Sequence, residues 1–381
     1  MKILIVSSSF FPKIDGSTRC VYDHARKLAE RGHEVYLVTR GIPGTKRQQT
    51  FEGILVRRSS YSFQGGQLLN RVRLMLEQMI MILRLQRKER FGVIHAHGFT
   101  SGLAALPCKY IYGVPVVITT HGTELLWPRR LWWKDPLELK LTLVFERFVL
   151  HHCDVVIAQS VGVQRYMMRI YGDDLEGKIR IVHTGVDHQK FLLPPKRNGP
   201  HQILFVGALS EIKGVSCLLK AFSAVHDEIP EAQLALVGSG PRAQEYKKFV
   251  KDMNLDSSVH FYGPIRDDAR LLKLYQDSDI VVLPSNVGGP VSCTVLEGLS
   301  CGKAVISTDL PGGLHDVLAD GSGILVRPED DANLALELKK LLTDQTYLDT
   351  LETKARRTVE EHYTLDSMID KLTSLYKELA S

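Results

Sequence analysis

The chain has 381 residues, a length that predicts two domains of roughly 150–200 residues each. Hydrophobic residues make up 44% of it and charged residues 24%, proportions that are typical of a folded protein and exclude a disordered chain. No apolar run reaches the ~20 residues of a membrane span, and the six scattered cysteines form no C-x-x-C motif, so we expect a cytoplasmic protein with reduced thiols.

The net charge of +5 is divided unevenly between the two halves. Residues 1–190 hold 28 Lys and Arg against 16 Asp and Glu, a net +12, whereas residues 191–381 hold 20 against 27, a net −7. A basic half favours an anionic partner, such as a lipid surface or a nucleic acid, although charge spread for solubility would give the same count.

The first half predicts an α/β domain. Residues 1–7 form an apolar strand of the parallel-sheet type, and a loop with Gly16 leads to a helical pattern that ends near Gly32. The next strand follows at 35–38. This order is a βαβ unit with Gly16 near a helix N-terminus, but it lacks the G-x-G-x-x-G dinucleotide motif.

Two segments of the first half combine basic and apolar residues. Residues 68–90 predict a long amphipathic helix, which is typical of an anionic membrane surface or of a domain helix with a solvated face. All three tryptophans lie at 127–134 among Arg and Lys, a composition that suits a membrane interface, the rim of an anion site or a packed loop. In the predicted helix 68–90, five charged residues fall within about a third of the circumference: Arg73, Glu77, Arg84, Arg87 and Lys88.

Two predicted strands of the first half lead into histidines. His95 lies at the end of the predicted strand at 93–96 and His97 directly follows it, and His121 follows the strand at 115–120. Ligands of parallel sheets bind beyond the carboxyl ends of the strands, so these side chains are placed for chemistry. They could also chelate a metal, but no carboxylate accompanies them at metal-ligand spacing, and we expect no metal.

A second α/β series begins after a Pro- and Gly-containing linker at 191–200. The strand at 202–206 leads to Lys213, which would lie near a helix start as a point charge for phosphate, although a surface lysine is a common role. Residues 238–243 formally match G-x-G-x-x-A, but Pro241 interrupts the motif and it follows the second strand of its series, so the NAD(P) signal is weak.

The stretch 281–305 has the pattern of a ligand site. A buried strand ends at Pro284, small residues dominate from Ser285 to Thr294, and a helix carrying Glu297 follows. The loop opens a helix, whose first N–H groups favour an anion, and Glu297 could accept hydrogen bonds from hydroxyls. The pattern predicts a site for a phosphorylated, hydroxyl-rich ligand, with an ordinary strand–loop–helix unit as the alternative.

Together these segments resemble the family 4 glycosyltransferases of GT-B fold over essentially the whole chain. The resemblance implies an α/β protein with two Rossmann-like, doubly wound parallel-sheet domains that face each other across a cleft. We expect an N-terminal domain at 1–190, the linker at 191–200, a C-terminal domain at 201–364 and, at 365–381, a helix that packs back on the N-terminal domain. The matching segments are FFPKIDGSTRCVYDHARKLAERGHEVYLVT, IHAHG, PVVITTHGTE, DVVIAQS, IRIVHTGVD, FVGALSEIKG, LVGSGP, HFYGPI and VLEGLSCGKAVISTDLPGG.

The resemblance also implies a function. The family transfers a sugar, here of hexose type, from a nucleotide-sugar donor, UDP favoured over GDP, to a glycan or lipid-linked acceptor with retention of configuration. We expect the donor as co-substrate, no metal or other cofactor, no nucleic acid, and peripheral association with an anionic inner membrane surface. Two alternatives stay open: a GT-B protein that binds nucleotide sugar without transferring it, and a nucleotide-sugar epimerase.

The family's motifs assign roles to particular residues of this chain. Lys213 matches the lysine on the diphosphate and His121 the histidine near the 6-hydroxyl of the transferred sugar, which makes them the catalytic candidates. Glu297 matches the second glutamate of the E-x7-E motif, which holds the ribose hydroxyls. The other donor-binding candidates would contact the phosphate, the sugar or the base: Gly16, Ile265, Val291, Ser292, Cys293 and Thr294.

Three positions depart from the family's pattern. Gly289 stands where the first motif glutamate belongs, Ala208 where an arginine is usual, and Thr184 where an asparagine is usual. A charge-assisted hydrogen bond is worth roughly 1.5–3 kcal/mol, so other groups must supply part of the electrostatics. The candidates are Arg19 and the backbone amides of 288–293.

Overall fold

The fold is that of a computed structural model, which describes residues 1–12, 16–59, 67–121, 136–193 and 201–381. The chain forms two compact units, the first comprising Met1–Thr184 with Leu365–Ser381 and the second Gly185–Thr364. The Trp-rich segment 127–134 and residues 194–200 of the predicted linker lie outside the described residues.

Where the structure describes the first unit, it contains eight strands: β1 (Lys2–Ser7), β2 (Glu34–Thr39), β3 (Gln48–Phe51), β4 (Ile54–Arg58), β5 (Val93–His97), β6 (Val116–Thr119), β7 (Val155–Ala158) and β8 (Ile179–Ile181). They form one sheet in the order β3-β4-β2-β1-β5-β6-β7-β8. All neighbours are parallel except β3, which pairs antiparallel with β4 at the edge.

Helices cover both faces of this sheet: α1 (Gly16–Glu30), α2 (Gln67–Glu89), α3 (Phe99–Tyr112), α4 (Pro136–His152), α5 (Val161–Tyr171) and, from the C-terminus, α13 (Leu365–Ala380). Successive strand residues point to opposite faces. Leu4 and Val6 therefore lie in a core with α2 to α5, whereas Ile3 and Ile5 lie in a second core with α1 and α13.

The described part of the second unit, 185–193 and 201–364, has six parallel strands: β9 (Gln202–Val206), β10 (Gln233–Val237), β11 (Val259–Gly263), β12 (Ile280–Leu283), β13 (Ala304–Thr308) and β14 (Ile324–Val326). Their order is β11-β10-β9-β12-β13-β14, so the chain reverses direction across the sheet beside β9. In an open parallel sheet such a reversal leaves a crevice at the carboxyl ends of the strands.

In the described residues of the second unit there are seven α-helices: α6 (Val215–His226), α7 (Ala243–Asp252), α8 (Asp268–Asp277), α9 (Cys293–Ser300), α10 (Gly313–Leu318), α11 (Asp331–Thr343) and α12 (Gln345–His362). Asp267, Asp330 and Asp344 cap three of them by accepting backbone N–H bonds, as N-cap residues do. No helix of the described chain is long and apolar enough to cross a membrane.

Part of the predicted linker and the C-terminal helix each pack into the core of one unit. Phe191, inside the predicted linker, is buried in the core of the second unit, with its ring edge-on to Tyr275 at 5.8 Å. Helix α13 comes last in sequence but packs in the first unit, where Asp366 pairs with Lys27 and Arg31 of the α1 region at 3.1 and 2.9 Å.

Candidate functional site

Lys213 ends a short 3₁₀ helix (Glu211–Lys213) in the loop that follows β9. Its side chain is half-buried, and desolvation lowers the pKa of the ammonium group below its usual value. In the described part of the chain no carboxylate neutralises it. A positive charge in this state is stabilised by an anionic ligand.

The backbone around Lys213 is fixed against the loop after β12. The Ile212 carbonyl accepts bonds from the Asn286 N–H at 2.9 Å and the Ser285 hydroxyl at 3.0 Å. Gly214 has a φ of +69°, and a Cβ there would lie 1.7 Å from the Pro284 carbonyl oxygen. Only glycine fits this position, so the geometry that places Lys213 is built into the backbone.

The loop after β12 leads into α9, whose first turn faces the same edge of the sheet. Val291 is buried, and Ser292, Cys293 and Thr294 are half-buried. The Ser292 side chain makes no capping bond, and the Thr294 hydroxyl donates to the Val206 carbonyl at 3.1 Å, at the end of β9. The N–H groups of this turn and the helix dipole favour an anion.

Glu297 lies one turn further into α9 and is buried. The Tyr275 hydroxyl of α8 donates to its Oε2 at 2.7 Å. Burial, and next the Glu297 charge, raise the pKa of Tyr275 well above its usual range, so this phenol remains a donor. Sequence reasoning missed Tyr275, because nothing in an amphipathic helix identifies the partner of a distant carboxylate.

Glycines bring the loops after β9 and β10 into backbone contact. A Cβ on Gly238 would lie 1.9 Å from the Gly207 oxygen, and one on Gly240 would lie 2.2 Å from the Leu209 oxygen. These glycines therefore serve close packing of two loops. An NAD(P) site would also need an acid to bind the ribose, and Asp256 lies at roughly the right distance in the sequence. Asp256 precedes β11, however, and so lies at the opposite end of the sheet from the Gly238 loop.

Ile265, the candidate for the base, follows β11 and is half-buried. The carbonyl of Gly263, two residues earlier, accepts the Gly238 N–H at 2.9 Å. The second unit thus brings Lys213, the first turn of α9, Glu297 and the loop before Ile265 to one edge of its sheet.

Two of the three substituted positions of the family motif have open surroundings. A Cβ at Gly289 would meet no atom within 4 Å, and its carbonyl accepts the Gly313 N–H at 2.8 Å. Ala208 is exposed. Local sterics therefore exclude neither a glutamate at position 289 nor an arginine at position 208. Thr184, in the first unit, is buried with an unpartnered hydroxyl among the described residues.

The remaining candidates, Gly16 and His121, belong to the first unit. Gly16 opens α1 and is exposed, and a Cβ there would contact nothing within 4 Å, so local backbone does not require glycine. His121 follows β6, and its Nε2 lies 2.8 Å from Nδ1 of His97. The structure does bring together the histidines that end β5 and β6.

His24 of α1 joins this cluster, a residue that the sequence did not single out. His24, His95 and His97 are buried, and one nitrogen of each lies within 4.8 Å of the others, close enough for a metal ion. Beside them is a cavity of about 20 Å³, room for one water molecule. Burial lowers the pKa of His24 to about 3 and the pKa values of His95 and His97 well below their usual range, so all three are neutral.

Two family models match the chain and together cover most of it. The model described as Glycosyltransferase Family 4 matches residues 14–190, and the model described as Glycosyl transferases group 1 matches residues 189–358. An uncharacterized glycosyltransferase of Methanocaldococcus jannaschii is 25% identical, covering 99% of this chain and 98% of its own. Glycogen synthase of Mycobacterium tuberculosis is 25% identical over 99% of this chain and 94% of its own.

Solved structures share the fold. Sucrose-phosphate synthase of Thermosynechococcus elongatus superposes with a TM-score of 0.86 at 22% identity, over 99% of this chain and 98% of that one. Anabaena HepE in complex with UDP-glucose superposes with a TM-score of 0.79 at 18% identity, over 99% and 100%. The predicted fold class, GT-B with two doubly wound parallel-sheet domains, is confirmed.

Proposed function

This chain belongs to the family 4 glycosyltransferases of GT-B fold, and we propose that it transfers a hexose-type sugar from a UDP-sugar to a glycan or lipid-linked acceptor with retention of configuration. One observation carries the donor side of this proposal. At the carboxyl ends of the second sheet's strands lie a half-buried lysine, a helix turn whose Thr294 hydroxyl donates to the Val206 carbonyl, and a buried carboxylate that accepts from the Tyr275 hydroxyl. These groups suit a diphosphate joined to a hydroxyl-rich ribose.

The residues take the following roles. Lys213 and the N–H groups of Ser292, Cys293 and Thr294 bind the diphosphate. Glu297, oriented by Tyr275, accepts hydrogen bonds from the ribose hydroxyls.

Four further contacts complete the proposed donor site. The backbone at Ile265 meets the base, Val291 faces the sugar, Gly16 approaches the donor phosphate, and His121 contacts the 6-hydroxyl of the sugar. UDP is favoured over GDP because the similar HepE structure holds UDP-glucose.

Electrostatic stabilisation of the leaving group is the main catalytic contribution. The bond from the anomeric carbon to the β-phosphate oxygen breaks, and the acceptor oxygen bonds to that carbon on the same face. The acceptor proton passes to the departing diphosphate. Negative charge grows on the diphosphate during this step, and Lys213 and the α9 amides are in place beforehand to stabilise it.

The surface of the first unit supports the proposal that the acceptor lies at an anionic membrane. On the exposed face of α2, the apolar side chains Val72, Leu76 and Ile80 are 43–45% exposed. The basic side chains Arg73, Arg84, Arg87 and Lys88 are exposed on the same helix, while Glu77 is half-buried. An amphipathic face of exposed apolar and basic residues binds anionic lipid by burying apolar area and pairing charge.

Helix α4, on the same side of the sheet as α2, repeats this pattern. Leu141, Val144, Phe145 and Phe148 are exposed there beside Lys140 and Arg147. Exposed apolar side chains at this density are uncommon on a solvated helix and typical of an interaction surface.

The membrane association has a direct measurement. The double variant Leu76→Glu/Ile80→Glu should lose most sedimentation with phosphatidylglycerol vesicles, because it places two charges on the apolar face. Leu336→Glu, at a residue 61% exposed in the second unit, is the matched control and should bind like the parent. Equal binding of all three proteins would contradict the proposal.

The transferase proposal is tested by incubating the protein with UDP- and GDP-hexoses and a membrane-lipid extract, with products identified by mass spectrometry. A glycosylated lipid or glycan is the expected product. Glu297→Ala should weaken donor binding by about tenfold, since a charge-assisted bond is lost. Glu231→Ala, at an exposed position, is the control. Unchanged donor affinity in Glu297→Ala would refute the ribose role.

The same incubation separates the two alternatives. Gly289 and Ala208 favour a protein that binds the donor without transfer, and it would show nucleotide-sugar binding with neither transfer nor hydrolysis. An isomerised donor with no acceptor consumed would instead identify an epimerase.

A further inference from the structure

The hydrogen bond from Tyr275 to Glu297 joins two helices, α8 and α9, so its geometry depends on how these helices are held against each other. Both side chains are buried. A hydrogen bond weakens steeply when its angle or distance is wrong, so a carboxylate that binds hydroxyls must be held in one orientation. The contacts around this pair therefore determine how well Glu297 can bind a ligand.

Phe191, in the predicted linker, contacts both helices. Its ring lies edge-on to the ring of Tyr275 on α8, with the ring centroids 5.8 Å apart and the planes at 88°. Its carbonyl accepts a hydrogen bond at 2.9 Å from the hydroxyl of Ser300, three residues after Glu297 on α9. Arg356 of α12 donates to the same carbonyl at 2.8 Å and to the Ser300 carbonyl at 2.6 Å. One linker residue thus binds the helix of the phenol through its ring and the helix of the carboxylate through its backbone.

The two residues after Phe191 continue along the same helix ends. The carbonyl of Leu192 accepts the side-chain amide of Gln276, the neighbour of Tyr275, at 3.4 Å. Gly302, just after α9, has a φ of +65°, and a Cβ there would lie 2.4 Å from Cδ2 of Leu193. Residues 191–193 therefore pack across the C-terminal ends of α8 and α9.

The ring contact between Phe191 and Tyr275 does more than fill volume. Aromatic rings prefer edge-on or offset-stacked arrangements, so such a pair restricts the orientation of each ring. The phenol oxygen of Tyr275 lies on the long axis of its ring. A contact that fixes the ring therefore also fixes where the hydroxyl can donate, and Oε2 of Glu297 lies 2.7 Å from it.

We propose that Phe191 is a positioning residue for Glu297, so that the linker takes part in recognising the ribose of the donor. Phe191 acts through Tyr275 and does not touch the ligand. The inference rests on the proposed function, in which Glu297 accepts hydrogen bonds from the ribose hydroxyls. It gives the linker a role in ligand selectivity besides joining the two units.

A conservative substitution isolates the ring. Phe191→Leu keeps an apolar side chain and the carbonyl that binds Ser300 and Arg356, but removes the edge-on contact with Tyr275. Phe222→Leu is the matched control, because it makes the same change at an equally buried phenylalanine on α6. Both variants should lose stability, as core substitutions do, so stability alone does not distinguish them. Only Phe191→Leu should affect Glu297.

The first measurement is calorimetric titration of the full chain with UDP and with inorganic pyrophosphate. Pyrophosphate carries the diphosphate charge but no ribose, so the ratio of the two affinities removes effects on the diphosphate contacts. This ratio should fall about tenfold in Glu297→Ala and about threefold in Phe191→Leu, and it should be unchanged in Phe222→Leu. The double variant Phe191→Leu/Glu297→Ala should lose no more than Glu297→Ala alone, because Phe191 acts only through Glu297.

The second measurement needs no ligand. A buried phenol that donates to a carboxylate exchanges its proton slowly, so the Tyr275 hydroxyl should give a downfield ¹H NMR signal, identified by its loss in Tyr275→Phe. The signal should shift or broaden in Phe191→Leu and keep its position in Phe222→Leu.

Three results would overturn the inference: an unchanged affinity ratio in Phe191→Leu, an equal fall in Phe222→Leu, or additive losses in the double variant. The hydroxyl signal separates this inference from the proposed function. If the signal moves in Phe191→Leu while Glu297→Ala binds UDP like the parent, the linker still positions Glu297 but the ribose role in the proposed function is refuted.

Discussion

The two units bury ionisable groups in opposite ways. The first unit encloses His24, His95 and His97 beneath α1 and α13, where each is neutral and bonded to its neighbours. The second unit places Lys213 and Glu297 near the carboxyl ends of its strands, where burial lowers the pKa of Lys213 and the Tyr275 hydroxyl donates to Glu297. Buried groups that satisfy each other organise a core, whereas charges held at an edge can be satisfied by a ligand.

A second carboxyl extends the contrast. Burial raises the pKa of Glu352 in α12 to about 7, against the downward shifts of the histidines in the first unit. The groups in the two units thus prefer their neutral forms for the same reason, desolvation. Glu352 is an acid and the histidines are bases, so a fall in pH has opposite effects on the stability of the two units.

The largest expected effect is therefore that the stabilities of the two units change in opposite directions with pH. Between about pH 6.5 and 5.5 the unfolded histidines gain protons that the folded ones do not. The first unit should lose roughly 4 kcal/mol of unfolding free energy by pH 5.5, at about 1.4 kcal/mol per histidine. For Glu352 the folded state binds the extra proton, so the second unit should gain stability as the pH falls from about 7 toward 4.5.

Amide hydrogen exchange followed strand by strand measures the two units separately, which one melting temperature would not. Protection in β1 and β5 should fall on acidification while that in β9 and β12 is maintained or rises. His260→Gln, at an exposed residue, should leave both trends unchanged. Parallel loss of protection in both units would contradict the contrast.

Lys213→Ala tests whether the charges of the second unit serve a ligand rather than the fold. Turnover should fall by about 100-fold, the usual cost of removing one preorganised group that stabilises transition-state charge. The free energy of unfolding should change by less than about 0.5 kcal/mol, because a desolvated ammonium without a carboxylate partner contributes little. Steady-state kinetics and urea unfolding provide the two measurements.

Lys220→Ala is the matched control for that variant, because Lys220 is exposed on α6, the helix after the same loop. Its turnover should equal that of the parent. A folded Lys213→Ala protein with full activity would remove Lys213 from the catalytic residues.

Sequence patterns predicted the parts of the molecule that depend on neighbouring residues. The apolar strand, the small-residue loop and the helix of 281–305 correspond to β12, the loop after it and α9, and the predicted helix 68–90 corresponds to α2. Helix α3 was not predicted, because Gly102 and Pro107 interrupt its pattern. Gly102 is there for packing, since a Cβ would lie 2.6 Å from Val149 of α4.

The parts that no local pattern could provide are contacts between distant residues. His24 and Tyr376 are 352 positions apart and meet only because α13 returns to the first unit. Tyr275 and Glu297 lie on different helices, and either residue alone has an ordinary local environment. The family motif named Glu297 but not the phenol that orients it, since a motif records the residues that touch a ligand.

The smallest expected effect concerns the glycines of the loop after β12, where this chain lacks the first glutamate of the family motif. It sharpens the contrast between the units by adding a charge to the ligand-facing loop of the second unit. Gly289→Glu restores the missing carboxylate at a position where a Cβ meets no atom, so the variant should fold with unchanged stability. Its donor KM should fall by roughly threefold, as for one added hydrogen bond. Gly288→Ala is the contrasting variant, because its Cβ would lie 2.3 Å from the Pro311 oxygen and should cost about 1–3 kcal/mol. Calorimetry and donor titration distinguish the two variants. If the Gly289→Glu protein binds the donor more weakly than the parent, this loop recognises the sugar through its backbone alone.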